Sequence, residues 1–186
     1  MNVYDFDKTI FYPDSSFKFS LFCLRRYPGC FKIDIGDRIL AFINFALYKH
    51  VDDNMKEAIF SYIKYLPDVG SLVEEFWDEH EKDIQSWYLQ KKQDDDIIIS
   101  ASPEFLIGPI AKRLGVRYIA TRLSPNSGKI CGTNCHDEEK VRRFRQEYPG
   151  AHIDEFYSDS LSDTPMAKIA DKAFIVNKGE IGAWPE

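Results

Sequence analysis

The chain has 186 residues, of which 44% are hydrophobic and 29% are charged, and its formal net charge at pH 7 is −6. This length and composition predict a globular protein with one domain, or one domain with a small insertion. The acidic charge, without any long run of basic residues, argues against binding to the phosphate backbone of nucleic acids.

Neither an export signal nor a membrane span is predicted. Asp5, Asp7 and Lys8 are charged where a signal peptide would be apolar, and the sequence contains no run of about 18 uncharged apolar residues. We therefore expect a cytoplasmic protein without stable membrane insertion, although peripheral contact with a membrane stays open.

The four cysteines are expected to be reduced thiols, as is usual without an export signal. Cys131, Cys135 and His136 are close enough in sequence to suggest a zinc site. The sequence offers no second ligand pair at metal-site spacing, so an ordinary structural role is favoured for these residues.

The first predicted element is a short buried strand over residues 2–6, because its side chains are mostly apolar or aromatic. Asp5 and Asp7 stand two positions apart at its end, and alternation places them on the same side. Two carboxylates this close repel each other, and one pKa should rise unless a cation intervenes. We interpret the pair as chemical, with Asp5 as nucleophile, Asp7 as proton donor and acceptor, and a divalent metal ion as the neutralising charge.

Residues 14–91 are predicted to be helical throughout, since apolar residues recur there at helical spacing. A capping box that starts at Ser71 and ends at Glu74 is expected to open the last of these helices, which continues to Lys91. This part of the sequence has no strand signal and is rich in aromatic residues. We therefore predict a helical cap at residues 14–91. The predicted helices cover residues 15–27, 34–49, 53–66 and 71–91.

After residue 92 the pattern changes to alternating strands and helices, which implies a parallel sheet with right-handed crossovers. A helix capped by Ser102 is expected to end at Gly115, and a further helix is expected to open at Pro165. We predict an α/β fold with a Rossmann-like, three-layer core and a mostly parallel sheet, built from residues 1–13 and 92–186. The predicted segments are strands at 97–99, 116–120, 156–157 and 173–176, helices at 103–114 and 137–148, and a hairpin at 121–132.

Polar residues follow several of these strands, and in open α/β sheets the reactive site lies at the carboxyl ends of the strands. None of the polar clusters is specific alone, because each member could be a helix cap or a solvated side chain. Their order along the chain is what indicates function. Lys129 is a rival for the lysine role but lies in the predicted hairpin. The clusters are Asp5 with Asp7, Ser100, Lys140, and Asp159 with Asp163.

The segment Asp5-Phe6-Asp7-Lys8-Thr9 resembles the first motif, D-x-D-x-T, of the haloacid dehalogenase superfamily. The apolar run that ends at Ser100 is similar to its second motif, Lys140 to its third, and the segment from Asp159 to Asp163 to its acidic fourth motif. A helical cap directly after the first motif resembles the branch that contains phosphoserine phosphatases. The residues that follow Ser100 are closer to uncharacterised and lipid-phosphate phosphatases of that branch.

This resemblance implies a magnesium-dependent phosphatase and a role for each motif residue. Phosphoryl transfer needs a nucleophile, an acid and base, and positive or donor groups around the phosphoryl oxygens. Hard oxygen ligands suit Mg²⁺. The implied catalytic residues are Asp5, Asp7 and Lys140. The implied phosphate-binding residues are Phe6, Asp7, Ser100, Ala101 and Lys140. The implied metal ligands are Asp5, Asp7 through its carbonyl, Asp159 and Asp163.

The expected function is hydrolysis of a small phosphorylated metabolite through an aspartyl-phosphate at Asp5. One alternative is a lipid-phosphate phosphatase, of the phosphatidylglycerophosphate kind, at a membrane surface. Another is an inactive module that binds a phosphorylated ligand. The sequence leaves the substrate and the oligomeric state open. The lipid alternative is motivated by the aromatic residues Phe17, Phe19, Phe22, Phe42 and Phe45.

Overall fold

The computed structural model describes residues 1–33, 35–36, 39 and 53–185. Its six-stranded sheet has the order β3-β2-β1-β4-β5-β6. The strands β1 to β5 are parallel, and β6 is antiparallel to β5. The predicted α/β fold with a mostly parallel sheet is confirmed. The strands are β1 Asn2–Tyr4, β2 Ile97–Pro103, β3 Arg117–Thr121, β4 Ile153–Ser158, β5 Ala170–Asn177 and β6 Glu180–Ala183.

Helices connect the strands, and the described part of residues 14–91 consists of helices joined by short turns, with a single bridge between Ile84 and Phe11 and no strand. Most of the predicted helix at 34–49 lies outside the described residues. The helices are α1 Ser15–Arg26, α2 Pro28–Lys32, α3 Asp53–Phe60, α4 Val69–His80, α5 Ser86–Lys91, α6 Glu104–Leu114, α7 Glu138–Glu147 and α8 Thr164–Ala167. Short 3-10 helices cover Ser61–Tyr65, Glu81–Asp83 and Leu161–Asp163.

Apolar side chains cover both faces of the sheet. Tyr4 joins one buried cluster with residues of α1, α4 and α6, whereas its neighbour Val3 joins a second cluster with residues of α7 and α8. Successive residues of a strand point to opposite faces, so β1 contributes to both clusters. The helix–sheet–helix arrangement is the predicted three-layer core.

The inserted helical segment packs directly on the sheet through α4. Trp77 is fully buried and its indole nitrogen donates a hydrogen bond to the carbonyl of Leu106, at 2.8 Å. Its ring also makes edge contacts with Phe6 and Phe11. The division of the chain at residues 13 and 92 remains a prediction.

The predicted helix from Ser71 to Lys91 is wrong at its start and in its middle, whereas its end at Lys91 is confirmed. Asp68 caps α4, because its carboxylate accepts a hydrogen bond from the amide of Ser71 at 3.1 Å. The helix ends at His80, and Ile84 adopts an extended conformation before α5 begins. The apolar stripe continues past the break because Ile84 and Tyr88 are both buried in the same cluster.

Two further predictions need correction. The strand β2 continues to Pro103 and does not end at Ser100, and Ser102 does not cap α6. The Ser102 hydroxyl instead donates to Asp7. The strand β6 was not predicted because its side chains are all exposed and show no apolar alternation.

Among the residues that the structure describes, no helix is long and apolar enough to cross a membrane.

Candidate active site

A tight loop after β1 places the two aspartates at the carboxyl edge of the sheet. The amide of Asp5 donates to the carbonyl of Tyr157 at 2.8 Å, which extends the pairing between β1 and β4. Lys8 then adopts a left-handed conformation, with φ of 58°. The chain turns back there, and the amides of Ile10 and Phe11 both donate to the carbonyl of Phe6 at 3.0 Å.

Lys140 forms ion pairs with one aspartate of the first motif and one aspartate of the fourth motif. Its ammonium nitrogen lies 2.7 Å from Oδ1 of Asp5 and 2.7 Å from Oδ2 of Asp163, and its side chain is only 2% exposed. Burial alone would lower the pKa of Lys140, but the attraction of the two carboxylates outweighs it and raises that pKa. Burial raises the pKa of Asp5, and Lys140 opposes this rise. A fixed positive charge therefore lies against the predicted nucleophile.

Two hydroxyl groups also donate hydrogen bonds to these carboxylates. Thr9 Oγ1 lies 3.3 Å from Oδ2 of Asp5 as a donor, and it accepts a hydrogen bond from the amide of Asp159 at 2.9 Å. Ser158 Oγ donates to Oδ2 of Asp163 at 2.7 Å. Thr9 thus connects the predicted nucleophile to the loop of the fourth motif.

Asp7 does not take part in the ion pairs that Lys140 forms with Asp5 and Asp163. Its Oδ1 accepts a hydrogen bond from the amide of Ser15, at 2.5 Å, at the start of α1. Its Oδ2 accepts a hydrogen bond from the hydroxyl of Ser102. Desolvation raises the pKa of Asp7 to about 6, against the effect of these hydrogen bonds. A carboxyl group that titrates near neutral pH can both give and take a proton.

The carboxylates around Lys140 fit a divalent cation. Asp5, Asp159 and Asp163 bring three negative charges against the one ammonium group, and Oδ1 of Asp163 is buried without a hydrogen-bond partner. Burial raises the pKa of Asp159 as well. Together with the carbonyl of Asp7, these groups are hard oxygen donors of the kind that Mg²⁺ and similar ions prefer.

The side chains of the predicted metal ligands do not form a described trio whose ligand atoms all lie within 4.8 Å of one another, whereas another set of residues does. That trio, with ligand atoms within 4.8 Å of one another, is His152, Asp154 and Asp171 on the surface. It lies near the amino ends of β4 and β5, and its members are explained by ion pairs. His152 Nε2 is 2.8 Å from Asp171, and the amino group of Met1 is 2.5 Å from Asp154.

The cysteine candidates for zinc do not converge either. Cys131 is exposed and Cys135 is buried. Within the described ranges, these cysteines and His136 do not belong to any trio of potential ligands at metal-binding distance. The favoured structural interpretation agrees with this placement.

The predicted phosphate-binding segment lies next to Asp7. Ser100 is buried, and its hydroxyl accepts a hydrogen bond from the amide of Ser102 at 3.0 Å, which leaves the hydroxyl hydrogen to donate. The carbonyl of Ala101 accepts hydrogen bonds from Thr121 Oγ1, at 2.7 Å, and from the ammonium group of Lys56. The phosphate-binding roles of these residues and of the Phe6 amide stay predictions.

Lys129, the rival lysine, lies elsewhere. Its side chain is exposed and its ammonium group is 2.7 Å from Oε2 of Glu57. The predicted hairpin forms around it, with a bridge between Leu123 and Ile130.

A cleft of about 450 Å³ opens beside Asp159. Two lysines, Lys8 and Lys178, line it together with the exposed side chains of Tyr12 and Leu161. Neither lysine forms an ion pair with a residue that the structure describes. The cleft therefore combines free positive charge with apolar surface at the edge of the site.

Most of the sequence matches the pattern of one enzyme family. The sequence pattern of haloacid dehalogenase-like hydrolases matches residues 3–168. The chain belongs to this family. The match includes all four motif segments and the inserted helices.

Relatives with known names share part of the chain. A probable phosphatase from Mycobacterium tuberculosis (strain ATCC 25618 / H37Rv) is 34% identical over 107 residues, which is 49% of this chain and 37% of the relative. The chain therefore matches well under half of that relative's length.

Solved structures show the same fold over almost the whole chain. A Bordetella pertussis Tohama I protein of unknown function has a TM-score of 0.72 at 20% identity, with 93% of this chain and 87% of that chain covered. A phosphoserine phosphatase, solved as a phospho-aspartyl intermediate analogue, has a TM-score of 0.56 at 14% identity, with 92% and 83% covered.

Proposed function

We propose that this chain is a Mg²⁺-dependent phosphomonoester hydrolase that acts on a small phosphorylated metabolite through an aspartyl-phosphate at Asp5. The observation that carries this proposal is the separation of the two aspartates. Asp5 is paired with Lys140 at 2.7 Å, whereas Asp7 forms no ion pair with a described residue and is held by Ser15 and Ser102. The charge of Lys140 opposes the rise in the pKa of Asp5 that burial causes, whereas hydrogen bonds from Ser15 and Ser102 oppose the rise in the pKa of Asp7.

In the first half-reaction, a carboxylate oxygen of Asp5 attacks phosphorus. The bond between phosphorus and the ester oxygen breaks, and the leaving oxygen takes a proton from Asp7. Lys140 offsets negative charge on Asp5 and on the phosphoryl oxygens, and the Ser100 hydroxyl donates to one of those oxygens. The products of this step are the free alcohol and the Asp5 acyl phosphate.

In the second half-reaction, a water molecule attacks the phosphoryl group. Asp7, now ionised, takes a proton from that water, and the bond between phosphorus and Asp5 breaks. Inorganic phosphate leaves, and both aspartates return to their starting states. The pKa of about 6 for Asp7 suits this exchange of roles.

The metal site would be formed by Asp5, the carbonyl of Asp7, Asp159 and Asp163. The bound ion supplies positive charge that offsets the carboxylates and the phosphoryl oxygens. The chain's own contribution is to hold these ligands in place through Thr9, Ser158 and Lys140.

The comparisons support the reaction class. The Mycobacterium tuberculosis relative is named a probable phosphatase, and the phosphoserine phosphatase of the same fold was solved as an analogue of a phospho-aspartyl intermediate. We extend that intermediate to Asp5 because this residue occupies the corresponding first motif.

The lipid-phosphate alternative is weakened, because some of the aromatic residues that motivated it lie in the core. Phe19 and Phe22 are buried in the core cluster, so they are not available to a membrane surface. Phe17 is exposed, and Phe42 and Phe45 lie outside the described residues. The inactive binding module is disfavoured because Asp5, Asp7 and Lys140 fill the expected catalytic positions, and Lys140 forms an ion pair with Asp5.

The proposal is tested with purified protein, Mg²⁺, p-nitrophenyl phosphate and a panel of small phosphorylated metabolites. We expect Mg²⁺-dependent release of phosphate, which the D5N variant abolishes. Mass spectrometry of acid-quenched reactions should place a phosphoryl group on Asp5. An absence of turnover on every ester, with D5N indistinguishable from the wild type, would refute the proposal. Sedimentation with anionic liposomes distinguishes the lipid alternative.

A further inference from the structure

Lys56 is a buried cation for which the reaction above has no use. It projects from α3 in the inserted helical segment, and it is only 7% exposed. Its ammonium group donates to the carbonyl of Ala101, to Oδ1 of Asn134 at 2.7 Å, and more weakly to Thr121 Oγ1 at 3.4 Å. These acceptors are all neutral, and none of the described carboxylates forms an ion pair with Lys56.

A charged group in this environment is unfavourable. Burial lowers the pKa of Lys56 to about 8, even though the negative charge of Asp7 acts in the opposite direction. Buried lysines without a carboxylate partner are uncommon, because the ammonium group loses its hydration without a compensating charge. A specific use of its three hydrogen-bond donors would explain why a lysine is present.

The hydrogen-bond count around Thr121 indicates that use. The Thr121 hydroxyl is 2.7 Å from the carbonyl of Ala101 and 2.8 Å from Oδ1 of Asn134, and it accepts from the amide of Cys135 at 3.0 Å. A hydroxyl has a single hydrogen, so it can donate to only one of its two acceptors at a time. Lys56 can donate to both, and therefore fixes the Ala101 carbonyl when Thr121 does not.

The position of the Ala101 peptide matters for Asp7. The next residue, Ser102, donates from its hydroxyl to Oδ2 of Asp7 and from its amide to Ser100. The same hydroxyl is 2.8 Å from the hydroxyl of Ser16 on α1. Rotation of the Ala101 peptide would move Ser102 and remove one of the hydrogen bonds that hold the Asp7 carboxyl group.

We propose that Lys56 is a positioning residue that acts through Ala101 and Ser102 on Asp7, so that proton transfer to the leaving group depends on the docking of α3. This inference rests on the proposed function and adds a residue from the inserted segment to the acid–base machinery. It makes the chemistry sensitive to whether that segment is in place.

The neighbouring residue offers a matched control. Glu57 also lies on α3 and also ties it to the core, since its carboxylate accepts hydrogen bonds from Lys129 Nζ at 2.7 Å and from the amide of Ile130 at 2.9 Å. These contacts are in the hairpin and do not include Ala101 or Ser102. E57Q therefore weakens the attachment of α3 without touching the link to Asp7.

The experiment compares two esters in the wild type and in K56M, K56R, T121V and E57Q. The value of kcat/KM reports the steps up to departure of the leaving group. p-Nitrophenolate leaves without a proton, whereas the alkoxide of an alkyl phosphate needs one from Asp7. We expect K56M to lower kcat/KM for the alkyl phosphate about tenfold more than for p-nitrophenyl phosphate, which is less than the roughly 10² to 10⁴ expected when the general acid itself is lost.

K56R should recover part of the loss, T121V should show a smaller loss of the same kind, and E57Q should leave the ratio of the two esters unchanged. Equal losses on both esters in K56M, or a matching change in E57Q, would overturn the inference. Thermal unfolding checks that each variant folds. If K56M does not fold, the ratio of the two kcat/KM values in K56R and T121V tests the inference instead. Absence of turnover by the wild type would refute the proposed function itself, whereas turnover with an unchanged ratio refutes only the role of Lys56.

Discussion

The hydroxyl of Thr9 accepts a hydrogen bond from the backbone amide of Asp159, a residue 150 positions later in the sequence, at 2.9 Å. The same hydroxyl faces Oδ2 of Asp5 at 3.3 Å. One small side chain therefore sets the spacing between the predicted nucleophile and a predicted metal ligand.

This contact makes the metal site sensitive to Thr9. T9V leaves the Asp159 amide without its acceptor and should weaken Mg²⁺ activation about tenfold, the lower end of the effect seen when supporting residues of metal sites are removed. T9S, which keeps the hydroxyl, is the control. The measurement is the Mg²⁺ concentration that gives half-maximal phosphatase activity. Equal values for T9V and the wild type would contradict the assignment.

Removal of the Lys140 charge should destabilise the protein. K140M leaves Asp5 and Asp163 buried without their shared cation, and such losses reduce the free energy of unfolding by about 3–5 kcal/mol. K129M breaks the exposed pair with Glu57 and should change it by less than about 1 kcal/mol. Urea unfolding at pH 7 without added metal compares the two variants. Similar small effects for both would show that Lys140 is not needed to neutralise the site.

D7N should separate the two halves of the reaction. An amide cannot take a proton from water, so turnover should fall by about 10² to 10⁴ while an aryl phosphate can still phosphorylate Asp5. The phosphorylated form should then accumulate in D7N and be detected by intact-protein mass spectrometry. D5N should show no adduct under the same conditions. A D7N protein that turns over at the wild-type rate would remove Asp7 from the mechanism.

The depressed pKa of Lys56 predicts a specific pH dependence of stability. Its pKa is about 8 in the folded protein and 10.5 ordinarily, so between these values the unfolded chain holds the proton more tightly. The free energy of unfolding should therefore rise with pH across this window. From pH 7 to pH 10 the wild type should gain about 2–3 kcal/mol relative to K56M. A difference between the two proteins that is constant with pH would contradict the burial of a charged Lys56.

The cleft beside Asp159 predicts a preference among substrates. If Lys178 contacts the part of the substrate beyond the phosphate, K178M should raise KM about twofold to fivefold for esters with a second anionic group, as expected for a partly exposed charge. The value of KM for p-nitrophenyl phosphate should not change. K168M removes an exposed lysine that does not line the cleft and serves as the control. An unchanged KM for both kinds of ester would place Lys178 outside substrate recognition.

The sequence was sufficient for the fold because the elements that determine it have strong local signals. The β-branched run Ile97–Ile99 forms the first three residues of β2, Gly115 ends α6 in a left-handed conformation, and the predicted bounds of α7 agree with the observed ones within one residue. The order of the motif residues then followed from the rule that reactive groups lie at the carboxyl ends of the strands.

What the sequence did not predict depends on contacts between distant segments. Ser102 was interpreted as a helix cap because that is the common local role of a serine before a proline, whereas its hydroxyl is used by Asp7 from the other part of the chain. Lys56 lies in helical phase with the buried residues Phe60 and Ile63, and this spacing is the sequence signal that it faces inward. Which acceptors it meets there could be known only from the structure.

The position of β1 between β2 and β4 has a consequence for how the chain folds. The strand β1 precedes both of its neighbours in the sequence, since one begins at Ile97 and the other at Ile153. Its central place in the sheet therefore cannot be completed until most of the chain has left the ribosome. Contacts of this sequence separation slow folding, because the entropy of closing the loops is lost before the contacts form. The strand that leads to Asp5 is therefore fully paired only after both of these later strands have formed.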